Sequence, residues 1–191
     1  MTVLRSALFW LALLLFTPPY AIIALACAPL PRMLRYRVIS GWSRLMLWWL
    51  RTLCGIRWRV EGREHLPATA SVILAKHQSA WETLAFQVIF PPQVYVIKRE
   101  LLWIPFFGWG LAMTSPVAIN RTAGIRALKQ MLEQGKDRLA HGFWIIVFPE
   151  GTRVAPGSGG VAGIGGPPGL PCGVSTPSYF DGHFAIRSLA A

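Results

Sequence analysis

The sequence predicts an α/β fold, a mixed sheet flanked by helices, preceded by N-terminal membrane helices. Three observations carry this prediction. Residues 1–54 combine many Trp, Leu and Arg residues with no acidic residue. From residue 55, short apolar strands alternate with helices, the pattern of a sheet covered on both faces. After about residue 157 the pattern stops and Gly and Pro dominate. The expected organisation is therefore a membrane element (1–54), a domain (55–156) and a disordered tail (157–191).

The composition excludes disorder of the whole chain and disfavours nucleic-acid binding. Apolar residues make up 53% of the 191 residues and charged residues only 14%, whereas disorder needs the opposite balance. The net charge is +11, but residues 1–60 contribute +8 of it and residues 61–150 only +2. Arg interleaved with Trp and Leu suits an anionic bilayer surface better than DNA. The three cysteines have no paired spacing, which indicates neither a zinc site nor a disulfide framework.

The first apolar segment is a run of 26 uncharged residues, 6–31. As one helix it would be about 39 Å long and would cross a bilayer. The pair Pro18–Pro19 predicts a break into 7–16 and 21–28, each too short to span. One kinked span and a shallow hairpin in one leaflet both remain open, the hairpin slightly favoured, and both place the later residues in the cytoplasm. A signal peptide cleaved after 24–26 is a competing interpretation.

Residues 38–54 predict an interfacial helix with a broad apolar face and a polar face. The competing interpretation is a core helix that carries three tryptophans. The predicted apolar face consists of Trp42, Leu45, Met46, Trp48, Trp49 and Leu53, and Ser40, Ser43, Arg44 and Arg51 lie largely opposite.

The domain that follows alternates between the two secondary-structure periods. Ile56, Trp58 and Val60 alternate with charged residues, as in a half-buried strand. The last helix is amphipathic, with Ile125, Leu128, Leu132 and Leu139 on one face and Arg126, Lys129 and Lys136 outside it. The predicted strands are 56–60, 71–75, 94–97, 117–119 and 143–148; the predicted helices are 79–90, 105–113 (helix or loop) and 122–140.

A His–carboxylate pair follows the strand 71–75. His77 and Glu82 are five residues apart, so they would not meet on one continuous helix. They meet if His77 lies in the loop and Glu82 in the first helical turn. Glu82 would then fix the imidazole tautomer and leave the other nitrogen as a base. The alternatives are a capping box formed by Ser79 and Glu82, and an exposed histidine without a role.

Cations follow the other strands at the edge where the chemistry of such sheets gathers. The strand 143–148 runs into residues 149–153, in which Gly permits close backbone approach and Thr and Arg are good phosphate partners. Arg121 ends the strand 117–119, and Lys98 ends the strand 94–97. Each is a common surface charge when taken singly. Together, one base and several cations indicate a hydroxyl substrate that carries a phosphate.

At these residues the sequence resembles the glycerolipid acyltransferases, specifically the bacterial 1-acylglycerol-3-phosphate acyltransferases. Four blocks occur in the family's order, up to about residue 157. They are the His-x4-Asp/Glu motif at His77–Glu82, the segment Lys98–Leu101 with Pro105–Gly108, the segment Ala118–Arg121, and the glycerophosphate-binding block Phe148–Arg153.

The resemblance implies a mechanism without a metal, a bound cofactor or a covalent enzyme intermediate. His77 would deprotonate the sn-2 hydroxyl of lysophosphatidate, oriented by Glu82, and the alkoxide would attack a thioester of CoA or acyl carrier protein. The lipid acceptor would come from the membrane, and a groove built from Trp103, Phe106 and Phe107 would take the acyl chain. The substrate phosphate would be held by Glu150, Gly151, Thr152, Arg153, Arg121 and Lys98. The resemblance also implies a bacterial inner membrane, with the catalytic domain cytoplasmic.

Two departures from the family pattern qualify the resemblance. Position 82 is Glu where Asp is commoner, and the extra methylene moves the carboxylate by about 1.5 Å. After Arg153 the family continues with a basic segment and an apolar strand, and nothing here matches. We therefore expect a frameshift or truncation at about residue 157, although a functional linker is the simpler interpretation. The alternatives to lysophosphatidate acylation are another lysolipid acceptor and a catalytically dead protein that binds the membrane surface.

Overall fold

The first helix of the computed structural model is continuous through both prolines. The structure describes residues 2–153, 173–175 and 185–189. Helix α1 runs over Thr2–Ala26 and contains Pro18 and Pro19 in its interior. The predicted break into two pieces is wrong, and so is a hairpin that turns at the prolines. Proline lacks the N–H that would bond the carbonyl four residues earlier, but its φ is compatible with a helix, so the axis continues.

The helix predicted over 38–54 corresponds to α3 (Gly41–Cys54), and a separate helix, α2 (Arg32–Ile39), precedes it. The predicted polar face of α3 is wrong at Ser43, which is fully buried together with Met46 and Leu47. This face packs against α1 and against α4 (Trp81–Ile89), so much of α3 belongs to the protein interior. Helix α3 ends where Gly55 adopts a left-handed conformation, with φ of 71°.

A five-stranded sheet forms the centre of the domain, and the predicted α/β class with a mixed sheet is confirmed. Its order is β4-β3-β5-β2-β6. The first four strands are parallel to their neighbours, and β6 is antiparallel to β2. A separate antiparallel pair joins β1 to β7. The strands are β1 Arg57–Glu61, β2 Val72–Leu74, β3 Gln93–Lys98, β4 Val117–Ile119, β5 Trp144–Val147, β6 Gly173–Ser175 and β7 Ala185–Leu189.

The last two strands lie within the segment that was expected to contain none. The expectation is wrong at these two places, because an edge strand is held by backbone hydrogen bonds and these do not require a hydrophobic period. The other residues of the predicted tail lie outside the described residues. The domain boundaries 1–54, 55–156 and 157–191, and the frameshift at about residue 157, stay predictions.

Helices cover both faces of the sheet. Helix α5 spans Phe107–Met113 and α6 spans Ile125–Ala140. The predicted inner face of α6 is wrong: Ile125 is 79% exposed, and Leu128 and Leu132 are about half exposed. Only Leu139 of the predicted four packs against a core cluster. The helix approaches the sheet instead through small residues, since a Cβ on Gly135 would lie 3.3 Å from a methyl of Ile145.

Candidate active site

His77 and Glu82 occupy the two positions that their spacing requires if their side chains are to meet, a loop and the first turn of a helix. His77 belongs to the loop after β2, and Glu82 is the second residue of α4. The imidazole Nδ1 lies 2.8 Å from Glu82 Oε1. Both side chains are largely buried, with exposed fractions of 18% for His77 and 9% for Glu82. The predicted pair therefore forms in the structure, and the extra methylene of Glu82 does not prevent the contact.

Glu82 also holds the start of α4. Its carboxylate accepts backbone N–H bonds from Gln78 at 2.6 Å and from Ser79 at 2.8 Å, and a third bond from the Ser79 hydroxyl. The Ser79 hydroxyl in turn accepts the Trp81 N–H at 3.1 Å. The capping interpretation and the His-orienting interpretation thus describe the same carboxylate, which serves both.

These donors determine the charge state of Glu82. Burial alone would raise the pKa of the carboxyl group, but the hydrogen bonds from Ser79, His77 and Gln78 together lower the pKa below its ordinary value. Glu82 is therefore ionised at neutral pH and acts as an acceptor only. Nδ1 of His77 must then donate to it, which leaves Nε2 as the ring nitrogen that can accept a proton. This is the arrangement that a general base requires.

The imidazole rests on an aromatic stack. The ring of His77 lies over that of Phe148, with 4.2 Å between the centroids and 23° between the planes. Phe148 in turn stacks on Tyr95, with centroids 6.1 Å apart. The Tyr95 hydroxyl donates to the carbonyl of Thr83 on α4, at 2.7 Å. The imidazole of His77 is thus fixed by one face as well as by its Nδ1.

A cavity of about 580 Å³ begins at this histidine. Its wall includes several of the predicted site residues, namely His77, Lys98, Gly151, Thr152 and Arg153. They meet because β2, β3 and β5 are parallel neighbours whose carboxyl ends lie at one edge of the sheet. The site therefore combines the His77–Glu82 pair with cationic and hydroxyl groups that suit a phosphate.

The residues after β5 reach the cavity through a tight turn. Gly151 donates its N–H to the carbonyl of Phe148 at 3.0 Å and has a φ of 66°, in the region that glycine occupies without strain. This turn brings the exposed Thr152 and Arg153 beside the cavity. The sequence Phe-Pro-Glu-Gly-Thr-Arg thus supplies both the ring under His77 and a cation that lines the cavity.

Two predicted site residues, Glu82 and Glu150, are absent from the cavity wall that the described side chains form. Glu82 lies behind His77. Glu150 has one carboxylate oxygen, Oε2, that is buried without a hydrogen-bond partner among the described residues. Arg121 begins a single 3₁₀ turn directly after β4, at the same edge of the sheet, where the side chain of Asn120 accepts the N–H of Thr122.

The apolar part of the cavity differs from the predicted groove. Phe106 and Phe107 line it as predicted, whereas Trp103 is 73% exposed and does not. The remaining wall comes from α1, which sequence reasoning assigned to the membrane alone. Small and medium side chains at helical spacing contribute to this wall, namely Leu13, Thr17, Ala21 and Ala24. Their helical spacing was the sequence signal that could have indicated a cavity-lining face of α1. Thr83, Gln87 and Tyr95 also line the cavity and were not predicted.

Known proteins match the chain along most of its length. It is 44% identical to the 1-acyl-sn-glycerol-3-phosphate acyltransferase of Pseudomonas aeruginosa over 165 residues, which cover 85% of this chain and 64% of that protein. It is 35% identical to the human 1-acyl-sn-glycerol-3-phosphate acyltransferase alpha over 117 residues, or 60% of this chain and 41% of the human protein. The chain thus spans less than two thirds of the length of these relatives.

A solved structure and a family model complete the comparison. The crystal structure of the 1-acyl-sn-glycerophosphate acyltransferase of Thermotoga maritima superimposes with a TM-score of 0.61. The match covers 80% of this chain and 62% of that one, at 23% identity, and shows a shared fold. The family model described as acyltransferase matches residues 57–164, which include the His77–Glu82 pair and the block 148–153. The chain therefore belongs to the acyltransferase family.

Proposed function

We propose that this protein transfers a fatty acyl group to the sn-2 hydroxyl of 1-acylglycerol-3-phosphate and so forms phosphatidic acid. The observation that carries the proposal is the contact between His77 and Glu82 at a cavity that also includes Arg153 and Thr152. The names of the relatives support the choice of acceptor. The activity belongs to phospholipid biosynthesis.

In the proposed reaction, Nε2 of His77 removes the proton from the acceptor hydroxyl as the oxygen attacks the thioester carbonyl. The new C–O bond forms, the C–S bond breaks, and the proton on His77 passes to the leaving thiolate. A thiol has a pKa near 8.5, so the sulfur leaves without a strong general acid. The donor is acyl-CoA or acyl carrier protein, and the proposed steps need no metal and no bound cofactor.

The acceptor phosphate would bind at the cationic side of the cavity. Arg153 offers a planar fork of donors that pairs with two phosphate oxygens, and Thr152 and the Gly151 backbone are neighbours. Lys98 lines the same cavity, and Arg121 and Glu150 belong to the adjoining turns. The acyl chain of the donor or acceptor would occupy the apolar wall formed by α1 and α5.

The proposed place of action is a membrane surface, in particular the bacterial inner membrane with the catalytic domain in the cytoplasm. Helix α1 is long and apolar enough to cross a membrane, by length and composition, from Val3 to Ala26. Only 17% of its most apolar window is buried inside the protein, which distinguishes it from an ordinary core helix. An anionic lipid surface would also complement the arginines that follow α1.

The test is acyl transfer from radiolabelled acyl-CoA, or from acyl carrier protein, to lysophosphatidate in membranes that contain the protein. We expect His77→Ala to lower the rate by about 10²–10⁴-fold, the usual contribution of a general base. The matched control is His65→Ala, since His65 is an exposed histidine that does not line the cavity. Equal background rates for the unmodified protein and for His77→Ala would overturn the proposal and leave a lipid-binding role.

The acceptor is tested separately. Arg153→Ala should raise the KM for lysophosphatidate and leave the KM for the acyl donor nearly unchanged, because Arg153 would contact only the phosphate. A lysolipid without a phosphate, such as a lyso-ornithine lipid, serves as the comparison. Faster acylation of that lipid than of lysophosphatidate would show that the protein prefers another acceptor. His77 and Glu82 would then keep their proposed roles with that acceptor.

A further inference from the structure

A second exposed apolar patch lies outside α1, on the catalytic domain itself. Of the 22 large hydrophobic side chains that the described residues expose, ten belong to α1 and six to the nine-residue segment 101–109. We name this segment, which includes the first three residues of α5, the aromatic loop. The six are Leu101, Trp103, Ile104, Phe106, Phe107 and Trp109, with Trp103 the most exposed of the loop at 73%. Soluble surfaces rarely concentrate large apolar groups in this way.

The aromatic loop is fastened to α1 through small residues. A Cβ on Gly110 of α5 would lie 3.9 Å from Cα of Ala21 and 4.0 Å from Cβ of Ala24. The two backbones therefore approach closely, and α5 cannot move away from α1 without losing this contact. The patch therefore ends in a helix that packs directly against α1, the segment proposed to enter the membrane.

The backbone of the aromatic loop is held in a rare conformation. Phe106 has a φ of 60°, in the left-handed region that non-glycine residues avoid. The N–H of Phe107 donates to the carbonyl of Pro105 at 2.7 Å, which closes a three-residue γ-turn of the strained type. The turn places the ring of Phe106 5.0 Å from that of Trp109. Strain of this kind persists where the surroundings fix it, and it is concentrated at functional sites.

The same loop borders the cavity. Leu101, Phe106 and Phe107 line the cavity beside Lys98, whereas Trp103 is exposed and does not line it. Lys98 and Arg99 are exposed at the start of the loop, where they complement anionic headgroups. Aromatic rings at headgroup depth with cations beside them are the usual composition of a membrane interface.

From these observations we infer that the aromatic loop enters the bilayer interface beside α1 and forms the entrance through which the lipid acceptor passes from the membrane to His77. Trp103 and Trp109 anchor the loop at headgroup depth, and Phe106 and Phe107 form the apolar wall of the entrance. The lipid then moves laterally into the cavity without crossing water. The inference rests on the proposed membrane association, and not on the identity of the acceptor.

The test is a depth measurement on the full chain in vesicles of phosphatidylethanolamine and phosphatidylglycerol. The three native cysteines are replaced by Ser, and Trp103→Cys is labelled with a fluorophore that reports polarity. We expect a blue shift of its emission on vesicle addition and strong quenching by lipids with a nitroxide near the headgroup. Leu14→Cys, on the exposed side of α1, is the positive control. Ile125→Cys, which is 79% exposed on α6, is the negative control.

The three labels separate the possible failures. Quenching at position 14 but not at 103 would overturn the inference and leave the membrane association intact. No quenching at either position would overturn the membrane association and the inference with it. Equal quenching at 103 and 125 would also overturn the inference, since the patch would then be no more inserted than another exposed apolar side chain.

A second measurement needs no substitution. A photoreactive lipid whose carbene lies near the headgroup is activated in vesicles that carry the unmodified protein, and tryptic peptides are sequenced by mass spectrometry. The peptide 100–121 contains the whole aromatic loop. Adducts on Trp103, which lies outside the cavity, support insertion. Adducts confined to the cavity residues Phe106 and Phe107, with none on Trp103, would contradict it.

Discussion

The side chain of Glu82 both holds the start of α4 and orients the imidazole of His77. Its carboxylate accepts the N–H groups that precede α4 and also the Nδ1–H of His77. Both requirements favour the ionised form, and this is why its pKa is lowered despite its burial. A substitution at this position therefore affects the helix start and the base together, and the two effects have to be measured separately.

The first prediction concerns the charge of that carboxylate. Glu82→Gln should lower kcat by about 10²–10⁴-fold, because the amide no longer stabilises the imidazolium that forms during proton transfer. It should also lower the free energy of unfolding by about 1–3 kcal/mol, because an NH₂ group then faces buried donors. Initial rates and thermal unfolding measure the two effects.

The control for this substitution is Glu82→Asp, which keeps the charge on a side chain shorter by one methylene. We expect it to retain more activity than Glu82→Gln at similar stability. An active Glu82→Gln protein would contradict the orienting role, whatever its stability.

The second prediction concerns pH. The pKa of Glu82 is lower in the folded state than its ordinary value of 4.5. Its contribution to stability is therefore fully present above that value and is lost as the pH falls through the folded pKa. Unfolding in denaturant, followed from pH 6 down to about pH 3, should show a steeper loss for the unmodified protein than for Glu82→Gln. Parallel curves for the two proteins would contradict the assigned shift.

At the scale of elements, α5 offers a matched pair of glycines. A Cβ on Gly108 would lie 2.4 Å from the carbonyl oxygen of Leu102, a backbone atom that cannot yield easily. A Cβ on Gly110 would make only ordinary contacts with α1. The helix therefore tolerates a side chain at one of these positions and not at the other.

The third prediction follows from this pair. Gly108→Ala should lower the free energy of unfolding by about 1–3 kcal/mol, because the backbone must shift. Gly110→Ala should be neutral or stabilising by up to about 1 kcal/mol, since both variants gain the same helix propensity. Thermal unfolding in detergent measures the difference. A smaller loss for Gly108→Ala than for Gly110→Ala would contradict the packing of the loop against α5.

Most elements could be predicted from periodicity and from motifs, and two errors have physical causes. β4 lies at Val117–Ile119 as predicted, and the spacing of His77 and Glu82 correctly required a loop followed by a helix. The break at Pro18 was wrong because proline removes a hydrogen bond without forcing the axis to end. The inner face of α6 was wrong because periodicity marks large apolar residues, whereas close approach to the sheet selects small ones such as Gly135.

At the scale of the whole molecule, the cavity is shared between the N-terminal helix and the α/β domain. Leu13 and Thr17 of α1 line the same space as His77 and Arg153. The helical spacing of these α1 residues does not indicate their partner, because the two segments are at least 60 residues apart and meet only after folding. The motifs indicated most of the site residues and the Phe106–Phe107 part of the apolar wall, whereas the part that α1 contributes was not predicted.

The fourth prediction uses this shared wall. Leu13→Trp adds volume inside the cavity and should lower kcat/KM for the longest acyl chains by about tenfold, with a smaller effect on short ones. Leu14→Trp is the matched control, because Leu14 is 65% exposed and faces away from the cavity. Competition between acyl donors of 12 to 18 carbons, with products separated by mass, provides the measurement. An equal profile for both variants would show that the acyl chain lies elsewhere.

His77 and Glu82 are separated by only four residues, whereas the block at Phe148–Arg153 joins them through pairing of β2 with β5. The contact between His77 and Glu82 closes a short loop, which costs little chain entropy and forms quickly. Gly151–Arg153 reach the cavity only through the pairing of β2 with β5, which lie more than 70 residues apart in the sequence. We therefore expect the contact between His77 and Glu82 to form earlier in folding than the Phe148 ring that supports the imidazole and the cavity wall at Gly151–Arg153.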